Sequence, residues 1–98
     1  MKIDGINENE QVIILDILNK YKDYSFCYYG SRVKGTFEKT SDLDILIKGQ
    51  NEMPVSVLVE LKFAFDNSSL PYIVNFTDYN KIDKTFYELI EKDLIPIN

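Results

Sequence analysis

The chain has 98 residues with a formal net charge of −5, and 45% of its residues are hydrophobic, 28% are charged and none is histidine. This composition predicts one globular domain, residues 1–98, and the polar first residues and short apolar runs predict a cytoplasmic protein with no signal peptide or membrane span. The absence of histidine excludes Ser-His-Asp and Cys-His catalysis, and the thinly spread basic residues argue against a broad nucleic-acid-binding face.

The first half of the sequence predicts a helix followed by two strands. Asn7, with Glu10 three residues later, indicates a capped helix start. The predicted apolar stripe of this helix is Val12, Ile13, Leu15, Ile17 and Leu18. The run YSFCYY ends at Gly30 and is typical of a buried strand, a turn or one helical turn follows over residues 31–36, and SDLDILIK is the second strand.

The second half continues the alternation of helix and strand. Pro54 indicates a second helix start, and the predicted apolar positions of this helix are Val55, Leu58, Val59, Leu61, Phe63 and Phe65. SSLPYIVNFTD supplies a turn and a third strand, and a last helix over residues 81–93 would face three residues inward: Phe86, Leu89 and Ile90. The pattern predicts a small α/β layer with helices on at least one face of the sheet.

Two carboxylates stand one residue apart at the start of the second strand. Because side chains alternate across a strand, Asp42, Asp44 and Leu46 share one face, and the other face carries the remaining apolar residues: Leu43, Ile45 and Ile47. The Cα atoms of the two aspartates would lie about 7 Å apart, so both side chains could reach one cation. Oxygen ligands favour Mg²⁺ or Mn²⁺, and Mg²⁺ commonly binds together with phosphate oxygens.

The segment GSRVKG, upstream of the carboxylates, has features that suit a phosphate. Gly30 lets the chain turn off its strand without a Cβ, and Ser31 offers a hydroxyl and an N–H at the start of a helical turn. Arg32 and Lys34 add positive charge, although residues two apart on a helical turn would not both face one phosphate. Either feature alone is more often an ordinary turn or a solvated strand end.

The order and spacing of Gly30, Ser31, Asp42 and Asp44 resemble the signature G-S-x10-D-x-D of the DNA polymerase β superfamily of nucleotidyltransferases. The segments GSRVKG, SDLDILI and LPYIVNFTD resemble the minimal nucleotidyltransferase (MNT) group in particular. This resemblance implies an α/β (α+β) fold with a small mixed sheet of three to four strands and helices mainly on one face. It also implies binding of a nucleoside triphosphate, which we expect to be ATP, with Mg²⁺ or Mn²⁺.

The resemblance further implies roles for residues and a partner. Asp42 and Asp44 would be catalytic and would ligate the metal, and the predicted nucleotide-binding set is Gly30, Ser31, Arg32, Lys34 and Ser41. Many MNT proteins are antitoxins of helical HEPN-domain proteins, in some cases by adding AMP to a tyrosine of that toxin. The resemblance therefore implies a HEPN-like partner, with the chain in a homo- or hetero-oligomer.

The third strand departs from the family pattern. The family places a third carboxylate there, in a setting like LPYxVDxxD, where this sequence has Asn75. An amide cannot act as a base near neutral pH, and Asp78 would lie on the opposite strand face. Two interpretations stay open: a nucleotidyltransferase that adds AMP to a partner protein, and a catalytically weakened nucleotide-binding module that neutralises its partner by contact.

Overall fold

Residues 3–98 are described by a computed structural model, in which four strands form one mixed sheet of order β3-β2-β1-β4. The strands are β1 (Ser25–Tyr29), β2 (Leu43–Lys48), β3 (Val74–Asp78) and β4 (Ile95–Pro96). The helices are α1 (Glu8–Leu18), α2 (Ser31–Lys34), α3 (Val55–Asp66) and α4 (Lys84–Ile90), with a 3₁₀ turn at Glu91–Asp93. Strand β2 pairs antiparallel with β1 and parallel with β3, and β1 pairs antiparallel with β4. The predicted mixed sheet is confirmed.

The two long helices pack on one face of the sheet and form the main core. Helix α1 begins at the predicted cap, where the Asn7 side chain accepts from the Glu10 N–H at 2.8 Å and the Glu10 side chain accepts from the Asn7 N–H at 3.1 Å. The core contains apolar side chains from α1, α3 and alternate strand positions, among them Ile14, Leu18, Phe26, Tyr28, Leu43, Ile45, Ile47, Leu61 and Phe65. The predicted apolar face of β2 is therefore confirmed.

Helix α4 covers part of the opposite face of the sheet. Cys27, Tyr29 and Leu46 are buried there beneath a set of partly buried side chains: Ile82, Tyr87, Ile90 and Leu94. The end of the same face where β2 begins is open, because Asp42 and Asn75 are both exposed. No helix within residues 3–98 is long and apolar enough to cross a membrane.

Several helix positions that the sequence predicts to be inward face solvent instead. More than half of each of the following side chains is exposed: Val12 of α1, Val55, Val59 and Phe63 of α3, and Leu89 of α4. Phe86 is also exposed, though less so. In α1 the buried residues are Ile14 and Leu18, four apart. The prediction failed in α1 and α3 because these helices carry more apolar residues than one helix face can bury. The apolar pattern therefore does not indicate which face is buried.

The orientation of α1 can be tested by comparing one buried and one exposed position. Ile14→Ala should lower the free energy of unfolding by about 2–5 kcal/mol, because it leaves a cavity at a fully buried site. Val12→Ala, at a position that is 58% exposed, should change it by less than about 0.5 kcal/mol. Urea unfolding followed by circular dichroism measures both values, and equal losses would contradict this orientation.

Candidate functional site

The candidate site lies where β2 begins, between β1 and β3. In the sheet register Asp44 pairs with Tyr29 of β1 and with Asn75 of β3. Asp42 immediately precedes β2 and is exposed, whereas Asp44 is partly buried. The pairing of β2 with both neighbours therefore brings polar residues from distant parts of the chain to one end of one sheet face.

The side-chain amide of Asn75 lies between the two carboxylates. Its Nδ2 donates to Asp42 Oδ2 at 2.9 Å, and its distance to Asp44 Oδ1 is 3.5 Å. The amide thus bridges two like charges that would otherwise repel each other. The third-strand position at which the family pattern places a carboxylate faces Asp42 and Asp44 in this structure, although an amide stands there.

The environment of Asp44 disfavours its ionised form. Burial raises the pKa of the Asp44 carboxyl, the hydrogen bond from Asn75 lowers it, and the charge of Asp42 raises it, with a net shift upward. A nearby cation stabilises the ionised form of a carboxyl that is partly desolvated and repelled by a neighbouring negative charge. This shift is therefore consistent with a site that carries positive charge when it is in use.

Gly30 ends β1 in direct proximity to Asp44. Its backbone has φ 87° and ψ −166°, a conformation that is essentially restricted to glycine. A Cβ at this position would also collide with the Asp44 carboxylate. Because the N–H groups of Val33 and Lys34 donate to the Gly30 carbonyl, the first turn of α2 begins here, with Ser31 as its first residue.

The Arg32 guanidinium is not part of the open site. Its side chain is buried and donates to three main-chain carbonyls: Nε to Ser41 at 2.8 Å, Nη1 to Gly5 at 2.7 Å and Nη2 to Lys39 at 2.8 Å. The sequence-based assignment of Arg32 to nucleotide binding does not fit this placement. Arg32 instead holds the loop that leads into β2 through the Ser41 and Lys39 carbonyls. It thereby helps to position Asp42 and Asp44 without facing the open site.

Lys34 and Ser41 differ in how available they are to a ligand. Lys34 has a side chain that is 52% exposed, and its Nζ lies 3.5 Å from Asp93 Oδ2, a type of surface ion pair that contributes little stability. Ser41 belongs to the loop held by Arg32, and its Oγ accepts from the Glu38 N–H at 2.8 Å. Lys34 therefore stays a predicted phosphate ligand, while the contacts of Ser41 indicate a structural role.

Two polar residues near the site were not predicted from the sequence: Tyr29, which pairs with Asp44 in the sheet register, and Thr77, which contacts Tyr29. The Tyr29 hydroxyl and Thr77 Oγ1 are 2.7 Å apart, and the Tyr29 ring packs edge-on against Phe86 at 6.3 Å between centroids. Burial raises the pKa of Tyr29; the hydrogen bond with Thr77 lowers it and the charge of Asp44 raises it. The two residues share the face of Asp44 and Asn75 by strand alternation, a signal that becomes readable only once the strand pairing is known.

Asp78 does not serve as a third carboxylate. It is buried and accepts from the Met53 N–H at 2.7 Å and from the Asn80 N–H at 2.9 Å. The contact with Met53 holds the C-terminal end of β3 against the segment before α3. The prediction that Asp78 is a poor substitute at the site agrees with this placement.

The donor atoms of the site fit a hard divalent cation. Within residues 3–98 no group of three histidine, cysteine, aspartate or glutamate side chains could hold a metal. Asp42 and Asp44 offer carboxylate oxygens, and Asn75 can add its amide oxygen if the amide turns. Such a set would suit a Mg²⁺ or Mn²⁺ ion, with phosphate or water oxygens as further ligands.

Comparison with known proteins gives two matches. Residues 13–97 match the family described as polymerase beta, nucleotidyltransferase. A protein of Haemophilus influenzae named "Probable protein adenylyltransferase MntA" is 36% identical over 93 residues, which cover 94% of this chain and 82% of that protein. The family match includes every residue of the site from Gly30 to Asn75.

Because Gly30 lies close to Asp44, we expect Gly30→Ala to destabilise the fold more than Gly35→Ala does. Gly30→Ala should lower the free energy of unfolding by about 2–3 kcal/mol, because it combines a disfavoured backbone conformation with a collision. Gly35→Ala is the matched control: φ is also positive, but an added Cβ meets nothing within 4 Å, so the loss should be near 1 kcal/mol. Thermal or urea unfolding of both variants measures the difference, and a Gly30→Ala loss no larger than that of Gly35→Ala would count against the contact.

The raised pKa of Asp44 predicts that Asp44→Asn increases the free energy of unfolding in a pH-dependent way. An acid whose pKa is raised by folding binds its proton more tightly in the native state, so wild-type stability falls as pH rises from the unfolded pKa through the folded pKa. Asp44→Asn should therefore be more stable than wild type at neutral pH, by less than about 1 kcal/mol because the site is partly solvated. The gain should disappear in acid, below the unfolded pKa. Urea unfolding on both sides of this window checks the sign, and a variant less stable than wild type at neutral pH would contradict it.

Proposed function

The chain belongs to the minimal nucleotidyltransferase group of the polymerase β nucleotidyltransferase family, and we propose that it transfers AMP from ATP to a hydroxyl group of a partner protein. The hydroxyl oxygen forms a bond to the α-phosphorus, the bond between the α- and β-phosphates breaks, and pyrophosphate leaves. The observation that carries this proposal is the meeting of Asp42, Asp44 and Asn75 beside Gly30, at the first turn of α2. The similarity to a protein named as an adenylyltransferase of proteins supports AMP as the transferred group and protein as the acceptor.

The triphosphate would lie against Gly30 and Ser31. Gly30 has no side chain to obstruct a phosphate, Ser31 offers its N–H and hydroxyl, and the exposed Lys34 adds positive charge from the same turn. Asp42 and Asp44 would hold Mg²⁺, which when bound neutralises phosphate charge and stabilises the charge that develops during transfer. The raised pKa of Asp44 supports this role, because the cost of its charge would be relieved by the cation.

Asn75 limits how the acceptor hydroxyl can lose its proton. The amide can orient a hydroxyl by hydrogen bonding, but it has no basic site near neutral pH. The proton would therefore pass to water, because Asp42 and Asp44 would be engaged with Mg²⁺. We expect slow transfer compared with a site that carries three carboxylates.

A second candidate function follows from the same residue. The Asn75 amide bridges Asp42 and Asp44 and so reduces the repulsion between the two carboxylates without a cation. In this second function the chain binds ATP and neutralises a HEPN-like helical partner by contact, with little or no AMP transfer. The resemblance to the MNT group supports the choice of a HEPN-like partner for both functions.

Transfer of labelled AMP tests the primary proposal. The chain is incubated with labelled ATP, Mg²⁺ and the product of the neighbouring gene, and label on protein is measured after denaturing electrophoresis. Asp42→Asn should lower transfer about a hundredfold, because it removes a charged metal ligand. Asp16→Asn, which changes an exposed carboxylate on α1, is the matched control and should leave transfer unchanged. Transfer that survives Asp42→Asn would contradict the assigned role.

Asn75→Asp distinguishes the two candidate functions. A third carboxylate supplies a base and a further metal ligand, so transfer should rise about tenfold or more. Transfer by Asn75→Asp with none by wild type would favour the contact function, provided that calorimetry shows ATP binding by both. Equal transfer by the two proteins would show that the amide is sufficient.

A further inference from the structure

Strand β3 forms one edge of the sheet, and no other strand within residues 3–98 pairs with its outer side. The Leu43 N–H donates to the Ile73 carbonyl and the Tyr79 N–H donates to the Ile47 carbonyl, so the odd-numbered positions of β3 are bonded to β2. The N–H and C=O groups of Val74 and Phe76 therefore point away from the sheet. These groups have no hydrogen-bond partner among residues 3–98, although main-chain polar groups normally have one.

A groove of about 270 Å³ follows this edge, between β3 and the C-terminal half of α3. It is lined by Lys62, Asp66, Ile73, Val74, Asn75 and Phe76. The Phe65 and Phe76 rings pack edge to face, 5.3 Å apart at their centroids, and hold α3 beside the strand. Ile73 is 63% exposed, so the groove offers an apolar side chain as well as unpaired main-chain groups.

Asn75 belongs to both the groove and the candidate site. Asn75 is one of the residues that line the groove, and its side chain donates to Asp42 and approaches Asp44. A molecule lying along the β3 edge would therefore contact the residue that separates the two carboxylates. The groove and the candidate site therefore have this one residue in common.

We infer that this groove binds an extended segment of the acceptor protein, which adds a strand to β3 and presents a hydroxyl-bearing side chain at Asn75. An extended polypeptide fits because its alternating N–H and C=O groups match those of Val74 and Phe76. Ile73 would cover one apolar side chain of the segment, and Lys62 and Asp66 would contact its polar groups. The inference rests on the proposed function and names the class of acceptor, a polypeptide that is extended at the modified residue.

Selection from a library of random short peptides tests the groove without depending on transfer. Peptides are selected on the full chain without nucleotide, and their dissociation constants are measured for wild type, Ile73→Gln and Leu89→Gln. Ile73 and Leu89 are 63% and 67% exposed, and neither change adds charge near Asp42. Ile73→Gln should weaken binding about tenfold, because the apolar contact is lost, and Leu89→Gln should leave it unchanged.

Amide hydrogen exchange locates the bound peptide. The N–H groups of Val74 and Phe76 should exchange rapidly in the free chain and slowly in the complex, whereas the Thr77 N–H, which faces β2, should be protected in both. Val74→Pro removes one outward N–H at an edge position that tolerates proline, and it should also weaken binding.

Any of the following results would overturn the inference: no selected peptide, equal sensitivity to the Ile73 and Leu89 changes, or protection at other amides. Concentration-dependent protection of Val74 and Phe76 in the free chain would assign the edge to a second copy of the chain and would overturn it as well. ATP binding is measured on the same proteins. Failure of wild type to bind ATP would refute the proposed function and leave the peptide result standing.

Discussion

Strand β2 is paired on both sides, antiparallel to β1 and parallel to β3, and the arrangement of the site depends on this double pairing. The register is fixed by burial, because Leu43, Ile45 and Ile47 are fully or almost fully buried on the core face. A slip by one residue would move this apolar set to the other face. The same burial that stabilises the sheet thereby fixes the direction in which Asp44 points, and hence its meeting with Asn75.

Local spacing was sufficient to predict strands β1 and β2 and to propose candidate residues on them. The alternation of side chains along β2 and the glycine at the end of β1 are properties of short segments, so Gly30, Asp42 and Asp44 could be proposed as site residues without a structure. The orientation of Asn75 depends on a parallel pairing across 31 residues, and the sequence pattern does not contain that information. The helix faces were wrong at positions such as Val59 for a related reason: surplus apolar residues leave the buried side undetermined.

Arg32 shows a different limit of sequence reasoning. A guanidinium beside a glycine-serine turn is a reasonable phosphate ligand, yet its partners here are three main-chain carbonyls and the Tyr72 ring, whose centroid lies 3.9 Å from Cζ. Main-chain carbonyls occur at every residue and leave no trace in the sequence. The Arg32 guanidinium helps to order the loop before β2 and is not available to a ligand. In the proposed transferase, Lys34 and a bound cation would supply the positive charge at the site.

The two edges of the sheet differ in what they can accept. The Ile97 N–H donates to the Phe26 carbonyl of β1 at 2.8 Å. Main-chain N–H groups alternate in direction along a strand, so the N–H of the preceding residue would point away from the sheet. That residue is Pro96, and proline has no N–H. The β4 edge is thus closed to a further strand, while the β3 edge stays open. Association through strand edges would therefore stop at a dimer joined by two β3 edges. Each molecule has one edge that can pair with a further strand, β3, and one that cannot, β4. Growth into fibrils by repeated strand addition is blocked by the residue that ends β4.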